Sequence, residues 1–163
     1  MESRIETLRE KKLVGMHLSM TLAANRTTEL WKSFMARRKE IMNAAGADLF
    51  SLQVYDPSLE MQDFGLGTPF EKWATTEVAD FENIPDGMEP FTLPGGLYAV
   101  FVHKGGPAKG GETFRYIFGA WVPQSGYSVD NSRPHFEIIG EKYKGDDPES
   151  EEEIWVPVQV IKN

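Results

Sequence analysis

Apolar and polar positions alternate through VGMHLSMTL, residues 14–22: Met16, Leu18 and Met20 fall on one side, His17 and Ser19 on the other. A two-residue period is that of a half-buried strand. The period then changes. NRTTE offers Thr27 or Thr28 as a helix N-cap, with Glu29 in the first turn, where the dipole favours it. The run LWKSFMARRKEIMN then places Leu30, Trp31, Phe34, Met35, Ile41 and Met42 in one stripe, with Lys32, Arg37, Lys39 and Glu40 off it. That predicts an amphipathic helix closed near Gly46. LFSLQVYD (49–56) and FEKWATTEV (70–78) read as strands again, joined by a loop containing glycine and proline.

After a turn region, ADFENIPDG, the order repeats. PGGLYAVFVHKG sets Leu97, Ala99 and Phe101 against Tyr98, Val100 and Val102, a strand pattern. TFRYIFGAWVPQSG carries Phe114, Ile117, Phe118 and Trp121 at helical spacing and is stopped by Pro123 and Gly126. PHFEIIGEKY reads as a strand, KGDDPESEE as an acidic loop and EIWVPVQVI as the last strand. Pro157 in that strand predicts an edge or a bulge, because proline cannot donate to a ladder. The chain of 163 residues is thus read as one domain, strand–helix–strand–strand twice, with halves at about 14–80 and 89–160. Two such halves predict an α+β fold: a mostly antiparallel sheet, both helices on one face, and a ligand groove where the halves meet.

Composition removes several chemistries. The absence of cysteine excludes disulfides, thiolate catalysis and cysteine metal sites. The formal charge of −8 argues against a phosphate-backbone partner and is compatible with a cationic one. The N-terminal MESRIETLREKKLVG has charges of both signs and no apolar core, unlike a signal peptide, and no apolar run approaches a membrane span. The expectation is a cytoplasmic protein with no membrane partner.

Local motifs fail one after another. GGPAKGGET (105–113) has the glycine spacing of a phosphate loop but puts Gly111 and Glu112 where lysine and serine or threonine are needed. His17, His103 and His135 are scattered without metal-ligand spacing, so no metal and no cofactor is expected. Ser19, Ser51 and Ser125 have no local partner that would activate them. ESEEE (149–153) lacks the order of a calcium loop and reads as solvated.

Glu137 remains. It sits in HFEII, where alternation puts Phe136 and Ile138 on one face and His135, Glu137 and Ile139 on the other. Buried without a partner it would cost several kcal/mol or take up a proton. It is therefore either a solvent-facing edge residue or a charge kept for a ligand. Four tryptophans, five tyrosines and ten phenylalanines exceed the needs of a core this size, and a carboxylate framed by aromatic faces suits a bulky organic cation.

In order, LYAVFVHKG, FGAWVPQSGY, RPHFEIIGEKY and EEEIWVPVQ resemble the GyrI-like effector-binding domain, also called the AraC-type bacterial effector-binding domain. The likeness runs from residue 14 to 160. It implies the duplicated fold, a groove between the halves, and a groove glutamate that pairs with cationic, lipophilic compounds, which falls on Glu137. It also implies Trp121 and Tyr127 as pocket walls. Alternation and the places of Tyr98 and Trp73 in the two halves add those two. About a dozen residues precede the first predicted strand, too few for a helix-turn-helix module, so the chain reads as a stand-alone member without direct DNA binding. The leading expectation is a binding protein for cationic or amphipathic small molecules. Alternatives are a hydrolase of strained or ester-like compounds in the same groove, with Glu137 as acid or base, and a protein-binding inhibitor of the gyrase-modulating kind. A homodimer paired through a sheet edge stays open.

Overall fold

A computed structural model describes residues 1–161 of the chain. The first half comprises β1 (Ser3–Leu8), β2 (Lys11–Met20), α1 (Thr27–Arg37), β3 (Ala44–Val54) and β4 (Phe70–Val78). The second comprises β5 (Glu89–Leu93), β6 (Gly96–Lys104), α2 (Gly110–Tyr116), α3 (Val122–Ser125), β7 (Tyr127–Val129), β8 (His135–Ile139) and β9 (Glu151–Val160). The strands lie in the order β1-β6-β9-β8-β3-β4-β2-β5, with β7 on β9. Every pairing between them is antiparallel. Three strands, β1, β5 and β7, are absent from the sequence reading, since each is short or charged and carries no clear alternation.

The two outer strands explain the shape of the sheet. β1 pairs with β6 of the other half, and β5 pairs with β2. Yet only Arg9 and Glu10 separate β1 from β2, and only Pro94 and Gly95 separate β5 from β6. In a flat sheet six strand spacings would set β1 and β2 about 29 Å apart, whereas a two-residue link spans about 10 Å. The sheet therefore curls until its ends approach. Leu13, Leu52, Leu93, Tyr98, Phe136 and Trp155, from six different strands, meet in one core on the face away from the helices. Each such side chain contributes about 1.5–3 kcal/mol when fully buried, so this core is the main support of the curl.

Both helices pack on the opposite face. α1 buries Leu30 and Phe34 against Val14, Leu49, Ala74 and Val78. It ends at Arg37 and tightens through Arg38–Glu40, so Met42 is 83% exposed and Met35 45% exposed. Met35 lies one residue on from the buried Phe34 and about 100° further round the helix, whereas Met42 follows the extended Ile41 beyond the helix end. Neither threonine caps the helix: the Thr27 N–H donates to Asn25 Oδ1 at 2.9 Å. Gly46 lies inside β3, where the register with β4 shifts, and not at the helix end.

The second helical segment begins in the glycines, at Gly110, and does not stop at Pro123. A wide π turn, Ile117–Trp121, precedes Pro123, which then sits in the first turn of α3 where its missing N–H costs nothing. Gly126, at φ 82°, ends α3. Pro157 is not on an edge strand. It faces Tyr98 on β6, and on the other side it marks the changeover where β9 leaves β8 after Trp155 and takes up β7 at Val158.

One surface cluster ties β2, β4 and β5 together. His17 stacks on Trp73 with centroids 4.2 Å apart, and its two ring nitrogens meet Glu71 and Glu89. Burial works against a charged imidazole here, but the bonds to Glu71 and Glu89 outweigh it and raise the His17 pKa. A base whose folded pKa exceeds its unfolded value of about 6.5 adds stability that is complete below that pH and is lost as pH rises through the folded value. Thermal melts of wild type and His17→Gln will therefore differ most near pH 6 and converge by pH 9. A gap that widens with pH would contradict this assignment.

Candidate functional site

On the helix face, above the β3–β8 seam, lies a groove of about 590 Å³ between the start of α1 and the α2 segment. That volume falls in the range of small-molecule sites. Its walls are aromatic. Tyr55, Phe64, Phe114, Phe118 and His135 form a closed cycle of ring contacts with centroids 5.4, 5.5, 4.7, 5.9 and 4.8 Å apart in turn. Tyr55 follows β3, Phe64 sits in the loop before β4, Phe114 and Phe118 come from α2 and the π turn, and His135 opens β8. The cycle thus draws on both halves. Leu22 and Leu66, 42% and 69% exposed, add an apolar rim.

A polar stripe crosses the floor. Lys72 on β4, Gln53 on β3, Glu137 on β8, Glu152 on β9 and His103 on β6 all line the groove. Register fixes this. Lys72 lies opposite Gln53, Glu137 lies opposite Ser51 and Ile154, and Glu152 lies opposite His103. Gln53 Nε2 donates to Glu137 Oε1 at 3.4 Å, a long bond. Glu137 Oε2 is sealed from solvent and has no hydrogen-bond partner among the described residues.

The electrostatics follow from burial. Loss of water pushes the Glu137 carboxyl pKa up, against the opposing pull of Lys72, Gln53 and His103. Burial, helped by the nearby Glu137, pushes Glu152 up to about 7, with Lys72 opposing. His135 is pushed down to about 3 by burial alone, so its ring is neutral, and Nε2–H donates to Asn131 Oδ1 at 2.5 Å. Burial, and then the charge of Glu137, raises the Tyr55 hydroxyl, which keeps its proton. His103 Nε2–H donates to the Gly106 carbonyl at 3.2 Å, and Nδ1 shares a hydrogen bond of 2.8 Å with the Thr113 hydroxyl, which ties β6 to α2.

Of the residues singled out in the sequence, the structure places Glu137 in the groove and the other four elsewhere. Tyr98 and Trp73 lie on the far face, in the central core, with Tyr98 fully buried beneath Arg133 at 4.8 Å. The reason is parity. Glu137 shares its face with Ser51 and hence Ala74, and with Ile154 and hence Phe101, so Trp73, one residue from Ala74, and Tyr98, an odd three residues from Phe101, must point away. Trp121 and Tyr127 are on the helix side but beyond the groove, stacked on each other at 6.4 Å, with Trp121 against Phe101 at 5.0 Å. Glu152, read as part of a solvated loop, is a strand residue in the groove floor. Phe114 and Phe118 were legible as a helical stripe, and His135 by alternation from Glu137. Tyr55, Phe64 and Lys72 carry no local signal that separates them from core or surface.

Among the described residues no helix is long and apolar enough to cross a membrane. Comparison with known proteins agrees with the fold. The transcriptional regulator BrlR of Pseudomonas aeruginosa is 26% identical over 160 residues, which is 97% of this chain and 56% of BrlR. The chain therefore spans little more than half the length of that relative. The structure of SAV2435 bound to tetraphenylphosphonium superposes with a TM-score of 0.72 at 19% identity, covering 98% of this chain and 94% of that one. A hydrolase encoded by lin2189 from Listeria innocua superposes with a TM-score of 0.60 at 11% identity, covering 97% and 92%. The GyrI-like small molecule binding domain matches residues 1–159, and the chain belongs to that family.

Proposed function

We propose that the groove binds a bulky, lipophilic organic cation, with Glu137 as its countercharge. One observation carries this reading: a carboxylate oxygen without a partner, sealed from solvent, on the floor of an aromatic-walled cavity. A buried carboxylate is costly unless a cation or donors compensate it. Gln53 offers a single long bond, so much of that compensation is left to the occupant. The five-membered ring cycle offers faces and edges at several orientations, which suits cation–π contact with a shape of no fixed outline. The exposed Leu22 and Leu66 fit an occupant with apolar bulk at the mouth. Binding of tetraphenylphosphonium by SAV2435, a structural neighbour, supports the same ligand class.

A second reading, acid–base hydrolysis in the same groove, is favoured by the Glu152 carboxyl held at about 7 beside Glu137, a value suited to proton transfer near neutrality. It requires that turnover of an activated ester such as p-nitrophenyl acetate collapse in both Glu137→Gln and Glu152→Gln. Turnover unchanged by either substitution would remove it.

For the binding reading, Glu137→Gln should weaken tetraphenylphosphonium by roughly 10- to 100-fold, the value of one partly desolvated charge pair of about 1.5–3 kcal/mol. Neutral triphenylphosphine oxide should lose less than about threefold. Equal losses for both ligands in a fluorescence titration would defeat the charge-pairing role. In the same titration, Phe114→Ala and Phe118→Ala should each weaken the cation by roughly 3- to 30-fold, in line with one cation–π contact. Trp121→Ala and Tyr98→Phe should leave its affinity within about twofold, since those rings pack outside the groove.

A further inference from the structure

The groove contains one charge that the binding reading leaves unused. Lys72 lines it from β4, directly opposite Gln53 on β3, and Gln53 in turn reaches Glu137 on β8. Glu152 on β9 is the diagonal neighbour of Glu137, two residues from its direct partner Ile154. Such diagonal positions are about 7–8 Å apart at the backbone, within reach of two glutamate side chains. Two carboxylates and one ammonium therefore share a cavity that excludes water from at least one oxygen.

Among the other groups facing this trio, only His103 pulls on its charge. His135, on β8, is neutral and donates to Asn131. Tyr55, at the end of β3, keeps its proton. His103, on β6, bonds Gly106 and Thr113 and sides with Lys72 in drawing the Glu137 carboxyl down. Arg115, on α2, is exposed at the rim and meets solvent. The balance inside is then set by Lys72, aided by His103, against Glu137 and Glu152. With one ammonium present, one carboxylate is neutralised by it, and the second is stable only with a proton or with another cation.

We propose that the groove exchanges a proton for its cation: Glu137 and Glu152 share a single proton in the presence of the Lys72 ammonium, and an organic monocation entering the groove displaces that proton to solvent. This rests on the binding reading above. The exchange balances, one positive charge in and one proton out, and needs no other reactant. Lys72 acts as an internal competitor that stops the pair from holding two protons. Glu152 is the group that makes the floor responsive to pH. The raised carboxyl of Glu152 agrees with a pair that still holds a proton near neutrality. The consequence is a site tuned to monocations whose affinity follows pH.

The test is calorimetry of tetraphenylphosphonium binding at pH 7 in phosphate and in Tris, whose different ionisation enthalpies count the protons released. Wild type should release between about half and one proton, and its affinity should tighten by up to about tenfold per pH unit between pH 6 and 8. Glu152→Gln should still bind, release close to none and lose the pH dependence. Wild-type binding with no proton release and a flat pH profile would overturn the exchange while leaving the binding reading intact. No binding at all would overturn both. A measurement without ligand stands apart from these: in the free protein, with carboxyl carbons observed by NMR, one of the two glutamates should titrate between pH 6 and 8, and Lys72→Met should move that step upward. Both carboxyls titrating below pH 5 would also overturn the exchange.

Discussion

Three ladders join the two halves of this molecule, β1 with β6, β2 with β5 and β3 with β8, and the groove lies over the last, which runs from Leu49–Ile139 to Gln53–His135. Everything in the groove depends on its register. One face of these strands carries Phe50, Leu52, Phe136 and Ile138 into the central core; the other carries Gln53, His135 and Glu137 into the groove. A slip of one residue would exchange the two sets, bury the glutamate in the core and expose Phe136. Such a slip forfeits several large buried side chains at once, at about 1.5–3 kcal/mol each. The apolar face thus fixes where the charged face falls, and the groove chemistry is held in place by a core that it never touches.

That same parity decides how much could be read from the sequence. Within one strand alternation is reliable. HFEII separates Phe136 from Glu137, and VGMHLSM separates Met16 from His17, as the structure has them. Between strands it is silent, because the relative face of two strands is set by tertiary pairing. Tyr98 and Trp73 stand in well-formed strands, and only the β6–β9–β8 and β4–β3–β8 registers reveal that both face away from Glu137. The exchanged strands β1 and β5 were hidden for a related reason. Their charged, one-sided sequences suit an edge, and edge strands carry little of the apolar signal from which strands are recognised. Glu152 was masked by its neighbours, since a run of acids suggests solvent until one of them is seen to point inward.

The groove walls and floor divide the work of recognition. Ring contacts at centroid distances between 4.7 and 5.9 Å, contributed by both halves, supply broad apolar area with little directional demand. The floor is the reverse. Lys72, Gln53, Glu137, Glu152 and His103 occupy fixed places on five adjacent strands, where rigid backbone pairing leaves charges little room to rearrange. On the proposed reading, a site built this way tolerates variation in outline but not in charge.

The floor also explains why the groove must be walled at all. In water a carboxylate and an ammonium several ångströms apart interact by only about 1 kcal/mol, whereas in a partly desolvated site the same pair is worth several times more. The aromatic cycle and the α2 segment exclude water, and that exclusion raises the carboxyl pKa values and couples them to one another. Opening the walls would restore solvent and return both carboxylates towards ordinary acids. Wall and floor are therefore one device: the apolar ring lowers the local dielectric, and that dielectric sets how strongly the three titratable side chains of the floor act on one another.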